Sequence, residues 1–506
     1  MQGTYANKTN LLDRPALGVL RLNWEKTIFL VFIVLAIATR LWGLGWRAMS
    51  HDESLHVVYS HKLYSGIGYE HDPMMHGPFL FHANALAYFL FGANDFSARL
   101  APALFGVVLV ALPWFMRRWL GRLGALAVSF MFLVSPSITY YGRYIRNEIF
   151  ILVFNLAIII LMFKYIESRQ PKHLYAIAAL TALMFTSKEV AYIFMVIVGI
   201  FLAVTAVIDW VRQSRFPPDS PLFDLTLLLG TLSLPLASAA LVKLVGFNPL
   251  DYSSQGILRS GVVFLVLLGI SVAVGLWWNR KVWPISAGIY YVIFVLLQTT
   301  FFTNGKGFAT GIMGSLGYWL DQQAVQRGSQ PWYYYGVVLP IYEFLPLLLG
   351  LAAIVVFLAT RPREPAGRRE AGSDRADRLF MPFLIYYALF TIVAYTYAGE
   401  KMPWLMVHLA MPLILLAGWL VDQVLRGVDL KETWKRGGGL LAVSLILLIF
   451  SVVKLLSIRP FQGREIAQFD PETGCAAEPA GGLCRAVHFS LLLHGARHVD
   501  GELHQL

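Results

Sequence analysis

His51-Asp52-Glu53 places an imidazole and two adjacent carboxylates a few positions beyond the first long apolar run of the chain. Neighbours on a helix point about 100° apart, so the two acids cannot serve one atom: one would act while the other orients or pairs. A partly desolvated carboxylate suits a general base that takes a proton from an acceptor hydroxyl, and Asp52 fits that task. Ordinary solvated loop acids are the alternative reading of the same pair. Six of the twelve histidines, His51, His56, His61, His71, His76 and His82, share this stretch with Glu70 and Asp72. Imidazole and carboxylate are ligands of a divalent metal ion, although the spacing matches no tight ligand motif and interfacial histidines also bond water and headgroups.

Cations recur further on. Arg143 and Arg146 are three apart and would share a face on a helical segment, with Tyr140, Tyr141 and Tyr144 supplying ring surface. Arginine suits bidentate phosphate contact; anchoring of a span end is the competing explanation. Glu148 is placed to pair with one of them. Lys188-Glu189 and Glu400-Lys401 each couple a cation to a carboxylate where a span meets the surface, either as internal ion pairs or as two more cationic spots for a phosphate or pyrophosphate. The stretch 303–332 is glycine-rich and leads through Gln330-Pro331-Trp332 into Tyr333-Tyr334-Tyr335. Aromatic planes beside amides fit a sugar, and equally the aromatic belt of a membrane protein.

The elements that must position these groups are apolar helices. Of 506 residues, 57% are hydrophobic and only 14% charged, and unpaired backbone is intolerable in hydrocarbon, so the long apolar runs are expected to be transmembrane helices. We read an all-α polytopic protein with about thirteen spans of roughly 20 residues, at 28–46, 97–116, 123–139, 147–165, 173–187, 189–208, 222–245, 257–278, 283–302, 334–359, 379–398, 404–425 and 439–457. The net charge of +11 does not point to nucleic acid, because lysine and arginine concentrate in alternate short loops. By the positive-inside rule those loops are cytoplasmic. The opposite, extracytoplasmic side of the cell membrane then receives every chemically unusual segment, with an uncleaved first anchor. The expected organisation is a cytoplasmic segment 1–27, a membrane domain 28–460 and an extracytoplasmic tail 461–506 carrying Cys475 and Cys484. Within the membrane domain lie a first outer loop of about 47–96 with interfacial or re-entrant helix at 78–91, an outer loop 303–332 and a solvated linker 361–378.

These motifs resemble the GT-C class of membrane glycosyltransferases, particularly the protein O-mannosyltransferase and aminoarabinose transferase group of glycosyltransferase family 39 type. The Asp-Glu pair of their first outer loop is similar to Asp52-Glu53. A His-Pro-Pro type turn is similar to His76-Gly77-Pro78, an arginine opening the second span to Arg99, and Ser-Pro with a following arginine and acid to Ser135-Pro136, Arg143 and Glu148. Ser187-Lys188 and Lys401-Met402-Pro403 resemble later elements. Together with Gln330 to Tyr335, Tyr342-Glu343-Phe344 and Gly399 to Trp404, the chain looks most like a prokaryotic family named flippase activity-associated. The resemblance departs at Glu148, where Asp is commoner, and at Gly77, where Pro is expected.

The resemblance implies transfer of a sugar from a polyprenyl-phosphate donor to a glycan, lipid or protein acceptor on the extracytoplasmic face, with inversion. Asp52 would be the base with Glu53 beside it, Arg143, Arg146 and Lys188 would hold the donor phosphate, and Lys401 would assist the leaving group. His51, His76, Arg99, Glu148, Glu189 and Glu400 would support them, with membrane lipid as surroundings and a divalent ion as the only candidate cofactor. A lipid-linked oligosaccharide flippase, or an accessory to one, is the alternative. It needs charge along the whole transmembrane path, whereas these residues gather at one end of the spans.

Overall fold

The computed structural model describes residues 15–17, 22–325, 330–360 and 371–426. The expected span 439–457, the tail 461–506 with Cys475 and Cys484, and most of the segment 1–27 lie outside the described residues. The chain divides into two units, residues 1–46 with 50–423 and residues 47–49 with 424–506. Among the described residues the second consists of Arg47–Met49 and Val424–Arg426.

Two short strands, β1 (Pro15–Leu17) and β2 (Leu22–Asn23), pair antiparallel ahead of α1 (Trp24–Leu41). The first loop supplies α2 (His51–Ser65) and α3 (Phe79–Phe91). The chain continues through α4 (Asp95–Ala111), α5 (Arg117–Leu120), α6 (Arg122–Val134), α7 (Pro136–Tyr141), α8 (Glu148–Ser168), α9 (Pro171–Phe185) and α10 (Val190–Gln213). Next come α11 (Pro221–Ser233), α12 (Ser238–Leu244), α13 (Ser254–Trp278) and α14 (Val282–Gln298). α15 (Lys306–Ala309) and α16 (Ser315–Val325) are joined by a π-turn over Thr310–Gly314. α17 (Tyr334–Tyr342), α18 (Phe344–Thr360), α19 (Ala371–Tyr397) and α20 (Met406–Arg426) complete the described helices.

Apart from the short β1–β2 pair the architecture is helical and polytopic as expected, with the span count less regular. Among the described residues seven stretches are long and apolar enough to cross a membrane, or eight if α17 and α18, bent by 106°, are taken as one. The runs expected at 123–139, 173–187 and 283–302 are helices of 13, 15 and 17 residues, short of the roughly 20 that cross a hydrocarbon core. α6 stops at Ser135 because the residue before a proline is pushed out of the helical region, and Pro136 then opens α7. The solvated linker expected at 361–378 is helical from Ala371 onward, while 361–370 lie outside the described residues. The loop 303–332 is largely helical.

α8 and α20 form the interior, with 83% and 89% of their spanning windows buried, whereas α13, at 17%, is peripheral. An apolar helix buried on nearly all sides is a core helix, and Phe150, Leu156, Ile159 and Phe163 of α8 are all buried. α8, α10 and α2 all begin at one end of the bundle. At the far end Arg118 bridges Glu167 and Asp377, and Glu25 takes Arg117 and Arg122. The charged partners at that end are the basic clusters that the sequence assigns to the cytoplasm.

Candidate active site

The site starts at the first turn of α2. Ser50 caps the helix reciprocally: its side chain accepts from the Glu53 amide, and Glu53 accepts from the Ser50 amide at 3.2 Å. This capping box fixes the directions of the two acids. Glu53, fully buried, takes a fork from Arg99 on α4, Nε to Oε1 at 2.9 Å and Nη2 to Oε2 at 3.0 Å, and accepts the Ile145 amide at 3.3 Å. Arg99 also donates to the Leu44 carbonyl at 3.1 Å. Glu53 is thus a clamp that ties α2, α4 and the 142–147 turn together.

Asp52 points elsewhere. Its Oδ2 is paired with Arg146 Nη1, and its side chain is 31% exposed against 6% for the arginine. The Arg146 guanidinium lies 3.6 Å over the ring of Trp404, close enough for cation–π attraction. Beyond it, Glu148 Oε2 is 3.5 Å from Arg146 Nε, an ion pair too long for a hydrogen bond, so both atoms lack a hydrogen-bond partner. Glu148 Oε1 is paired with Lys188 Nζ, whose ammonium is 5.9 Å from the Trp404 ring. Asp52, Arg146, Glu148 and Lys188 therefore alternate in sign along one chain of contacts, roofed by an indole.

The neighbouring polar group is held by a glycine. Gly77 and Phe79 donate their amides to the carbonyls of Ser187 and Thr186 at 3.0 and 2.9 Å. A Cβ on Gly77 would lie 2.1 Å from the Thr186 oxygen, which is why glycine stands where proline was expected. This docking carries His76, itself at φ 69°, onto Glu189, Nδ1 to Oε2 at 2.8 Å. Burial works to raise the Glu189 carboxyl, but His76 and Lys188 outweigh it and hold the group below the usual carboxylate range. Its other oxygen, Oε1, is buried without a partner.

Not every candidate joins this cluster. Arg143 and Arg146 do not share a face, because residues 142–147 form turns rather than helix. Arg143 donates to the carbonyls of Thr39 and Trp42 at 2.6 and 2.7 Å, where α1 ends, a good use of a cation at a helix C-terminus. Lys401 is buried and donates to the Ala398 carbonyl at 2.8 Å. Glu400 instead lines a narrow cavity with His76, Lys188 and Glu189. His51 is exposed at the start of α2. Lys188 and Glu189 do not pair with each other; each takes a partner from another element.

The divalent ion finds no ready ligand set among the described residues. Among the described residues no group of three or more His, Cys, Asp and Glu is arranged to hold one. The imidazoles are used singly: His56 Nδ1 contacts the Asp52 carbonyl at 2.6 Å, His71 bridges Thr310 and the His76 carbonyl at 2.8 and 3.1 Å, and His82 contacts the Pro78 carbonyl at 2.8 Å. Burial, reinforced by Arg146, pushes His56 down to about 3, and burial pushes His71 down to about 4.

Two residues carry more than the sequence reading gave them. Trp404 ends the Gly399 to Trp404 motif and has no role legible from sequence. Glu343, at the α17–α18 bend, is fully buried and accepts from the hydroxyls of Ser135 and Ser137 and from the Ser137 amide, joining the Ser-Pro and Tyr342-Glu343-Phe344 motifs. A lone acid between apolar runs was the signal for it.

The comparisons with known proteins fall on this frame. Residues 75–218 match the family model for dolichyl-phosphate-mannose-protein mannosyltransferase. The matched stretch runs from His76-Gly77-Pro78 through Arg99, Arg146, Glu148 and Lys188, and the resemblance to GT-C membrane glycosyltransferases holds there. No curated protein matches the chain. Among solved structures, archaeal oligosaccharyltransferase AglB from Archaeoglobus fulgidus, in complex with an inhibitory peptide and a dolichol-phosphate, is 13% identical with a TM-score of 0.46, over 84% of this chain and 54% of its own. ArnT from Cupriavidus metallidurans bound to undecaprenyl phosphate is 15% identical with a TM-score of 0.48, over 84% and 64%. The Archaeoglobus fulgidus oligosaccharyltransferase complex with Zn and sulfate is 14% identical with a TM-score of 0.45, over 82% and 51%. The chain thus spans between 51% and 64% of the length of these proteins.

Proposed function

We propose that this protein is a glycosyltransferase of the cell membrane that moves a sugar from a polyprenyl-phosphate donor to a hydroxyl of a glycan, lipid or protein acceptor on the extracytoplasmic face, with inversion. The observation that carries the reading is the Asp52–Arg146–Glu148–Lys188 chain beneath Trp404. Three helix N-termini, of α2, α8 and α10, meet there, and their dipoles add positive potential to that of Arg146 and Lys188. Each of these helix starts now faces an acid: Asp52, Glu148 and Glu189.

A donor phosphate entering this cluster takes Arg146 from Asp52, the most exposed and least tied of the three carboxylates. The freed Asp52 then accepts the acceptor's hydroxyl proton. The acceptor oxygen forms its bond to the anomeric carbon as the bond from that carbon to the phosphate oxygen breaks, and the electron pair leaves with the phosphate. Arg146 and Lys188 stabilise the charge that develops on it. Glu53 with Arg99 positions α2, and His76 with Glu189 positions the α9–α10 turn that carries Lys188. Lys401, held on a carbonyl, is assigned to shaping the 398–402 turn rather than to the leaving group.

The flippase reading draws less support. Below the site the interior of α8 is apolar apart from the Asn155–Tyr387 hydrogen bond at 2.7 Å, with no charged track toward the far end among the described residues. The test is sugar transfer from a polyprenyl-phosphate donor by the purified protein in proteoliposomes. Asp52→Asn and Arg146→Ala should each abolish it, and full activity in both variants would overturn the assignment.

A further inference from the structure

At the end of the bundle opposite the candidate site, a groove of about 480 Å³ opens where the last turns of α10 meet the starts of α11 and α19. That is the size of a small-ligand site, against about 20 Å³ for the cavity beside Lys188. Arg212 of α10 and Arg375 and Arg378 of α19 line it, with Asp209 as the one acid. Asp209 is already engaged, its Oδ2 accepting from the Ser220 hydroxyl and pairing with Arg375. Acids close by in sequence go elsewhere: Asp219 and Asp224 to Arg169 at 3.0 and 3.4 Å, and Asp377 to Arg118 at 3.7 Å. The lining is therefore three guanidiniums against one carboxylate. One rim is apolar. Val204, Val207, Ile208 and Val211 are exposed and follow the i, i+3, i+4, i+7 spacing of a single face of α10, and Ile208 belongs to both that stripe and the groove. Beside it Trp210 packs on Phe216, which stacks on Trp277 with ring centroids 5.9 Å apart. Aromatic side chains of this kind gather at the headgroup level of a bilayer.

We propose that this groove holds the headgroup of an anionic phospholipid, drawn from the leaflet away from the candidate site, with its phosphodiester on Arg212 and Arg378 and an acyl chain along the Val204 to Val211 stripe. Guanidinium forks match phosphate oxygens, and a basic pocket between spanning helices suits an anionic headgroup. Arg375 has a different part. Tied to Asp209, it joins α19 to α10 and fixes the floor on which the headgroup rests. A soluble phosphate shares the anionic oxygens but has nothing to lay on the aliphatic stripe, and a zwitterionic lipid has the chain but brings an ammonium to the arginines. The anionic phospholipid satisfies both halves of the groove, and binding it bridges two helices that a single ion pair otherwise links here.

The test sets a built site against general surface charge. Phosphatidylglycerol is titrated as a minor component into phosphatidylcholine nanodiscs holding the full chain, and bound lipid is counted by native mass spectrometry. The variants are Arg212→Ala with Arg378→Ala, the same pair changed to lysine, and Arg280→Ala with Lys281→Ala, which removes two charges from the same end outside the groove. The groove pair should weaken phosphatidylglycerol binding by about tenfold, the lysine pair by less, and the outside pair by no more than about twofold. Arg212 and Arg378 are exposed, so the groove variant should melt like wild type; should it melt lower, Arg212→Ala alone should still weaken binding by about threefold. Equal losses in the two alanine pairs would overturn the site. Wild-type binding of phosphatidylglycerol no tighter than of phosphatidylcholine would do the same, and ready displacement of the lipid by inorganic phosphate would assign the arginines to a soluble anion instead. None of these readouts depends on sugar transfer.

Discussion

Glu53 and Asp52 occupy adjacent positions of α2, one with both oxygens taken up by Arg99 and backbone amides, the other on a single arginine and 31% exposed. The contrast continues outward. The Glu53–Arg99 clamp is saturated, whereas the Asp52–Arg146–Glu148–Lys188 chain leaves Arg146 Nε and Glu148 Oε2 buried without a hydrogen bond, and Glu189 Oε1 beside it is buried likewise. Buried polar networks specify a structure when every member is satisfied, and each orphaned group calls for an explanation. We read the saturated clamp as scaffold and the unsaturated chain as the part that expects a ligand.

The contrast breaks most directly by removing each acid in turn. Asp52→Asn should lower transfer by about 10²- to 10⁴-fold, the range for a general base, with little change in thermal stability in detergent. Glu53→Ala removes the carboxylate that pairs with buried Arg99 and should cost about 3–5 kcal/mol of stability, seen as a large fall in Tm with any residual activity following the folded fraction. If the two variants exchanged these phenotypes, the division between scaffold and site would be wrong.

Acid sharpens it next. His56 and His71 are held neutral by burial, at about 3 and about 4 against an ordinary 6.5. The unfolded chain therefore binds more protons between those values, and stability rises with pH through that window. The contribution is fully present above about pH 6.5 and should be lost by about 2 kcal/mol for each histidine at roughly pH 5. A thermal melt series across this range checks it, and His71→Asn should flatten the slope. Glu189, held low by His76 and Lys188 against its burial, contributes in the same direction: its stabilisation is present above the ordinary carboxylate range and lost as pH falls through its lowered value.

The smallest effect is steric. Gly77→Ala should push the His76 turn off Thr186 and cost about 1–3 kcal/mol, measurable in the same melts, with transfer reduced because His76 leaves Glu189.

Much of this was legible in the residues themselves. Apolar runs and basic loops indicate a helical membrane protein, and the types and spacing of Asp52, Glu148 and Lys188 mark them as candidates from sequence alone. The divergence of Asp52 from Glu53 followed from helical geometry alone. The choice of Arg146 over Arg143 did not, because an i,i+3 argument presupposes a helix and the chain turns between them. The role of Trp404 was hidden for a related reason: an indole at a span start reads as an interfacial anchor until a guanidinium is seen 3.6 Å from its ring. Histidine density suggested a metal because composition cannot show that His56, His71, His76 and His82 are each committed to a carbonyl, hydroxyl or carboxylate nearby. Among the described residues the apolar runs do not all appear as single long helices, because hydropathy does not register where a proline cuts a helix short or a bend breaks one.

The central claim is that the phosphate belongs to Arg146 and Lys188, not to Arg143. Its most direct test is the affinity of the reconstituted protein for undecaprenyl phosphate in two variants three residues apart. The account predicts that Arg146→Ala loses more than about tenfold in affinity while Arg143→Ala stays close to wild type. Loss in Arg143→Ala with affinity retained in Arg146→Ala would contradict it.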